Sequence, residues 1–139
     1  MENIIATARS VGRLNTLICA ARAVGLDETL SNAGPFTVFA PNDEAFDNLP
    51  PGTVDSLFNN ILLLKIILNS HLLSGAVLWN NVLSMKSART VQGQHITVDT
   101  KNGAMVNKAK VIRADVIAEN GVIHVIDRVI LPKELEQLD

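Results

Sequence analysis

The sequence predicts an α+β domain, with a mainly helical N-terminal half and a C-terminal half built mainly of strands. Up to about Leu83 the apolar residues recur at helical spacing. From about Arg89 they alternate with polar residues, which is the two-residue period of a strand. Apolar residues fill 47% of the 139 positions, enough for one core without staples. No Gly/Ser/Pro-rich linker, low-complexity block or internal repeat interrupts the chain, so 1–139 reads as one domain.

Leu14, Leu17, Ile18, Ala21 and Val24 fall on one face of an amphipathic helix, and Gly25 suits the left-handed position just past its end. Cys19 neighbours that stripe and reads as a small buried hydrophobe, since no cationic setting that would activate a thiol is evident. Gly34-Pro35 breaks the chain before Phe36-Thr37-Val38-Phe39-Ala40, a short run of strand formers. Asn42-Asp43 then caps a helix through Glu44-Ala45-Phe46. The Asp43-Glu44 pair suggests a catalytic dyad, but acidic residues in a first helical turn are favoured by the macrodipole, and capping explains them. After Pro50-Pro51-Gly52, Thr53 is a plausible cap for the next helix.

Leu57, Ile61, Leu64, Leu68 and Leu72 predict one sustained helix, which Leu62, Leu63, Ile66 and Ile67 make apolar nearly all round. Such a helix is buried on several sides or docks on a partner, and burial is the expectation. Turn residues then flank Val77-Leu78-Trp79. In the second half Ile96 and Val98 share one strand face, while His95, Thr97 and Asp99 share the other. Asn102-Gly103 and Asn120-Gly121 are hairpin signals. Val122-Ile123-His124-Val125-Ile126 is apolar on both faces and should form a central strand, continued by Val129-Ile130-Leu131 until Pro132 stops the ladder.

Charge and composition exclude several functions. Twelve basic and 14 acidic residues give a net charge of −2, whereas phosphate neutralisation needs an excess of Lys and Arg. No Tyr, one Trp and four Phe offer little for base stacking, so nucleic acid is not an expected partner. The most apolar run, Ile61 to Leu68, carries Lys65 and is far short of the ~20 residues of a spanning helix. The N-terminus lacks a basic region followed by an apolar run and does not read as a signal peptide. One cysteine excludes an internal disulfide.

Little in the chain points to catalysis. His71, His95 and His124 are far apart and match no short zinc spacing, so no metal site is expected. His124, inside an apolar strand, reads as a hydrogen-bonded core histidine. No Gly-x-Ser-x-Gly elbow or phosphate loop is present, and nucleophile, base and orienter cannot be assembled. The residues read as a non-enzymatic domain with no cofactor.

Four segments carry a resemblance. Gly34-Pro35-Phe36-Thr37-Val38-Phe39-Ala40-Pro41-Asn42-Asp43-Glu44-Ala45-Phe46 resembles the first signature block of the fasciclin domain, and Leu68-Asn69-Ser70-His71-Leu72-Leu73-Ser74-Gly75 its central histidine-containing segment. Thr90-Val91-Gln92-Gly93 is similar to the start of a family strand. Ala114-Asp115-Val116, followed by Asn120 to Pro132, resembles the second signature block. The resemblance covers about 3–132 in the family's order. It implies a wedge-shaped β-sandwich with helices packed around one side.

The resemblance also implies an adhesion or protein-interaction module, extracellular or at the cell surface, with a protein or matrix component as partner. The chain's length is similar to that of single-domain prokaryotic members, and the absent leader leaves a cytoplasmic location as the alternative. In animal members a Tyr-His pair with branched apolar neighbours is implicated in integrin binding. Here His71, Leu72 and Leu73 match that segment, and Asp115-Val116 matches a second implicated Asp-Ile pair. Ser70 stands in the tyrosine's place, which removes the aromatic anchor that typically dominates an interface and argues against integrin binding. His71, Leu72, Leu73, Asp115 and Val116 are the expected partner-binding residues. A different class of function, small-ligand or lipid binding in an apolar groove near Leu57–Leu73, follows from the over-apolar helix.

Overall fold

A computed structural model of the chain describes residues 3–32, 34–49, 51–84, 87–91, 95–99, 105–106 and 109–130. The N-terminal half holds α1 (Ile4–Val11), α2 (Asn15–Ala23), α3 (Leu26–Asn32), α4 (Asp43–Asp47), α5 (Thr53–Phe58), α6 (Ile61–Asn69) and α7 (Trp79–Leu83). Two strands lie among these helices, β1 (Phe36–Pro41) and β2 (Leu72–Ser74). The C-terminal half holds β3 (Ser87–Arg89), β4 (His95–Asp99), β5 (Met105–Val106), β6 (Ala109–Ala118) and β7 (Gly121–Ile126). The α+β class and its division between the halves are those the residue pattern predicts.

Local chemistry sets the ends of these elements. The Asn3 side chain accepts from the Ala6 N–H at 2.9 Å and caps α1. Asn42 caps α4 in the same way through Ala45, at 2.8 Å. Gly25, at φ +79, takes the left-handed turn after α2 that a Cβ would strain. Asp43 reaches away from its own helix: its Oδ1 accepts the Thr16 N–H at 2.8 Å and so caps α2, which has no side-chain cap of its own. Glu44 pairs with Arg13 at the surface. The acidic pair therefore stitches α4 to α2.

The hydrogen-bonded strand order is β2-β1-β7-β6-β5-β4-β3 among the described residues. β1 and β7 run parallel, from Phe36 opposite Gly121 to Pro41 opposite Ile126. That pairing joins the two N-terminal strands to one edge of the C-terminal strands, so that β7 is flanked on both sides. β6 and β7 form the hairpin that the Asn120-Gly121 signal predicts, but the two turn residues are Glu119-Asn120, one position earlier, and Gly121 is the first residue of β7. The Asn102-Gly103 turn lies outside the described residues.

Alternation along β1 and β7 splits their side chains between two cores. Val38, Ala40, Ile123 and Val125 face the helices, packing with Ile4, Leu17, Ile18, Leu64, Ile67 and Leu68. Phe39 and Ile126 belong to the second core, with Leu73, Val82, Ile96, Val98 and Val106. The sheet thus folds over so that β4 and β5 cover the face the helices leave open. All six residues of β7 are buried, as its two-sided apolar pattern requires.

Five expectations need correction. The stretch from Leu57 to Leu72 is not one helix: Asn60 starts a new one by accepting from the Leu63 N–H at 3.2 Å, and Leu72 and Leu73 lie in β2. Burial holds for Leu64, Ile67 and Leu68, whereas Leu62 is 77% exposed, because α6 packs on one side only. Gly52, in the left-handed conformation, holds the cap position of α5, and Thr53 is its first helical residue. Cys19 is exposed, since one residue past Ile18 the helix has turned by about 100° away from its buried stripe. Finally, β7 ends at Ile126, because Asp127 turns to accept the Lys110 N–H at 2.8 Å; Val129 and Ile130 pack without pairing, and Leu131-Pro132 lies outside the described residues.

Candidate functional site

Two buried histidines organise the region around the expected binding residues. His71 follows α6 directly, and both its ring nitrogens are occupied. Nδ1 donates to the Ile67 carbonyl at 2.8 Å, and Nε2 accepts the Ile130 N–H at 2.8 Å. Those partners require the neutral tautomer protonated on Nδ1. Burial holds the His71 pKa at about 4, well below its ordinary value of 6.5, although the Ile67 carbonyl works in the opposite direction.

His124 is the second clamp. Its Nε2 donates to the Val77 carbonyl at 2.8 Å, and its Nδ1 accepts the Asp115 N–H at 3.1 Å. Phe39 and Trp79 lie on either side, each with its ring centre 5.6 Å from that of the imidazole. Burial lowers the His124 pKa; the Val77 carbonyl and the Asp115 carboxylate push it back up. The core-histidine expectation for this residue is met. Neither imidazole keeps a free lone pair for a metal ion or a substrate proton.

Asp115 sits within the second of two register shifts in the β6–β7 ladder, the one between Arg113 and Val116, at φ +57. A bulge with a residue in the left-handed region re-aims the chain there, and Asp tolerates that conformation better than most residues. Its side chain turns toward the 75–79 segment, where Oδ1 accepts the Trp79 N–H at 2.8 Å and caps α7. Thr37, fully buried in β1, completes the arrangement by donating to the Gly75 carbonyl at 2.7 Å and accepting the Val77 N–H at 2.8 Å. Residues 75–79 thus cross the sheet as a strap held by Thr37, His124 and Asp115.

The five expected binding residues do not share one surface. His71, Leu72 and Leu73 are buried, at 1%, 4% and 4% exposure, and their side chains serve the core. Asp115 is exposed and Val116 half-buried, and β7 and β1 stand between their strand and β2. Thr37 and Trp79 were not among the expected residues. Trp79 is the only tryptophan in the chain, and that scarcity was the available signal. Thr37 offered none, since a Thr in a strand looks like any other.

An apolar space between α1, α2, α3 and the sheet, bordered by Ile4, Leu17, Val38 and Ile123 and touched by Leu68, His71 and Leu72, amounts to about 30 Å³. That is room for about one water, against the several hundred Å³ of a small-molecule site.

The sequence pattern of the fasciclin domain matches residues 12–132. An uncharacterized protein of Synechocystis sp. is 44% identical over 131 residues, covering 94% of this chain and 98% of that protein. Transforming growth factor-beta-induced protein ig-h3 of Sus scrofa is 35% identical over 133 residues, covering 95% of this chain and 20% of that protein. A solved FAS1 domain pair from the insect cell adhesion molecule fasciclin I superposes with a TM-score of 0.73 at 20% identity, covering 96% of this chain and 52% of that one. That likeness is one of fold.

Proposed function

Because this chain belongs to the fasciclin domain family, we propose that it is a non-catalytic adhesion or protein-interaction module, one fasciclin unit working at the cell surface or outside the cell. The observation that carries this reading is the Trp79–Asp115 contact. Through the Trp79 backbone N–H it brings the half-buried Trp79, the exposed Asp115 and the 41% exposed Leu78 together from two distant chain segments. Aromatic residues beside a polar rim are the usual energetic centres of protein interfaces. Trp79 offers the kind of anchor that Ser70 withholds.

Asp115 and Val116 contact the partner in this reading, while His71, Leu72 and Leu73 support the surface from inside. The partner is a protein or matrix component; integrin and cofactors have no part in the proposal. The occupied imidazole nitrogens of His71 and His124 favour this reading over catalysis, and the apolar space beside His71 holds only about 30 Å³.

Binding of the purified protein to surfaces coated with envelope or matrix proteins of its own source tests the proposal. Trp79→Ala should weaken the interaction by at least about tenfold and Asp115→Asn by less, with melting temperatures checked alongside. Binding no stronger than that of an unrelated domain, or binding indifferent to both substitutions, would defeat it.

A further inference from the structure

We propose that the 75–79 strap is an acid-released latch, opened when His124 takes a proton on Nδ1. In the closed state that nitrogen must be a lone pair, because it accepts the Asp115 N–H at 3.1 Å. A proton there turns two donors toward each other and the bond is lost. The residue it leaves is Asp115, whose φ of +57 depends on such contacts. Asp115 is also the residue whose Oδ1 caps α7 at Trp79, at 2.8 Å. The new imidazolium attracts the same carboxylate and draws it off the Trp79 N–H. One proton therefore removes the Asp115 tie and frees the Trp79 end of the strap, while the Nε2–H bond to Val77 and the Thr37 bonds keep residues 75–77 in place.

The surroundings of His124 favour a local event. β1 presents Phe39, and α7 presents Trp79; neither element contains a charged residue. From β6 the Asp115 carboxylate faces the ring and helps it charge. Arg113, also on β6, is opposite Val125, whose side chain points to the other face of β7. Lys110 is tied through its backbone to Asp127, beyond the end of β7. At His71 burial lowers the pKa and the Ile67 carbonyl raises it. The Asp115 carboxylate thus favours a charge at His124, and the bond lost there is local to the strap. This proposal requires no partner and stands apart from the adhesion reading.

Trp79, the only tryptophan, reports on the latch directly. The test follows its fluorescence and the far-UV circular dichroism of the intact chain as the pH is lowered from neutral until the fold is lost. The expected result is a red shift of the emission with the dichroism unchanged. His124→Gln, which cannot titrate, should abolish the transition. Thr37→Val removes a different strap tie and should move the transition to higher pH. A constant emission until the fold is lost would overturn the proposal, as would emission and dichroism changing together or a transition that persists in His124→Gln. Should His124→Gln not fold, the wild-type pair of signals and Thr37→Val decide the matter.

Discussion

His71 Nε2 accepts the backbone N–H of Ile130 at 2.8 Å, joining the end of α6 to the segment that follows β7. The bond exists only while the imidazole is neutral. In the unfolded chain His71 takes a proton near its ordinary 6.5, but in the fold burial delays that to about 4. Between those values the unfolded state binds more protons, so stability rises with pH across the window. His71's contribution is complete above about pH 6.5 and is lost as the pH falls toward 4.

The gap between 6.5 and about 4 is worth about 3 kcal/mol. Urea unfolding at about pH 7 and again at about pH 4.5 should register most of that loss. An NMR titration of the His71 ring with a midpoint near 6.5 would contradict the account.

His124→Ala leaves the Val77 carbonyl and the Asp115 N–H without their partner and opens a gap between Phe39 and Trp79. Each unsatisfied buried group costs on the order of 1–3 kcal/mol, and lost packing adds to it. The expected destabilisation is about 3 kcal/mol, a fall in melting temperature on the order of 10 °C. A melt matching wild type would mean that the strap does not depend on this side chain.

Gly121 and Gly25 should respond very differently to alanine. A Cβ at Gly121 would land against the Phe36 carbonyl oxygen and 2.8 Å from Ile4 Cδ1, where β1 and β7 approach each other. The carbonyl is backbone and cannot step aside, so Gly121→Ala should cost several times the roughly 1–2 kcal/mol of left-handed strain expected for Gly25→Ala. At Gly25 nothing lies within 4 Å of the added atom. Equal losses in a thermal melt of the two variants would refute the close-approach explanation.

The exposed Cys19 thiol should react fully with a water-soluble alkylating reagent in the native protein, without denaturant and without a change in melting temperature. Protection that yields only on unfolding would return the thiol to the core, where the helical stripe had suggested it lay.

Local pattern was enough wherever an element's own side chains decide its state. The two-sided apolar run of β7, the Leu17-Ile18-Ala21 face of α2, the Asn42 cap and the turn before Gly121 were all legible in the chain, because period and capping chemistry act over a few residues. The family blocks were legible too, since they are contiguous. What the sequence determined by itself was the α+β class, the non-catalytic character of its motifs as an expectation, and a buried, hydrogen-bonded His124.

The tertiary structure decided the rest. It broke the Leu57–Leu72 stripe into a helix pair and a strand, since Leu72 and Leu73 gain a partner in β1 that no helical period announces. It buried His71, Leu72 and Leu73, and it brought Trp79 to Asp115 across 36 positions. It also placed the Thr37 hydroxyl under a strap 40 positions away. Such contacts depend on the parallel β1–β7 pairing, a long-range choice that no single segment's composition encodes. Hydrogen bonds of this kind form only after the sheet has set the distance between their partners.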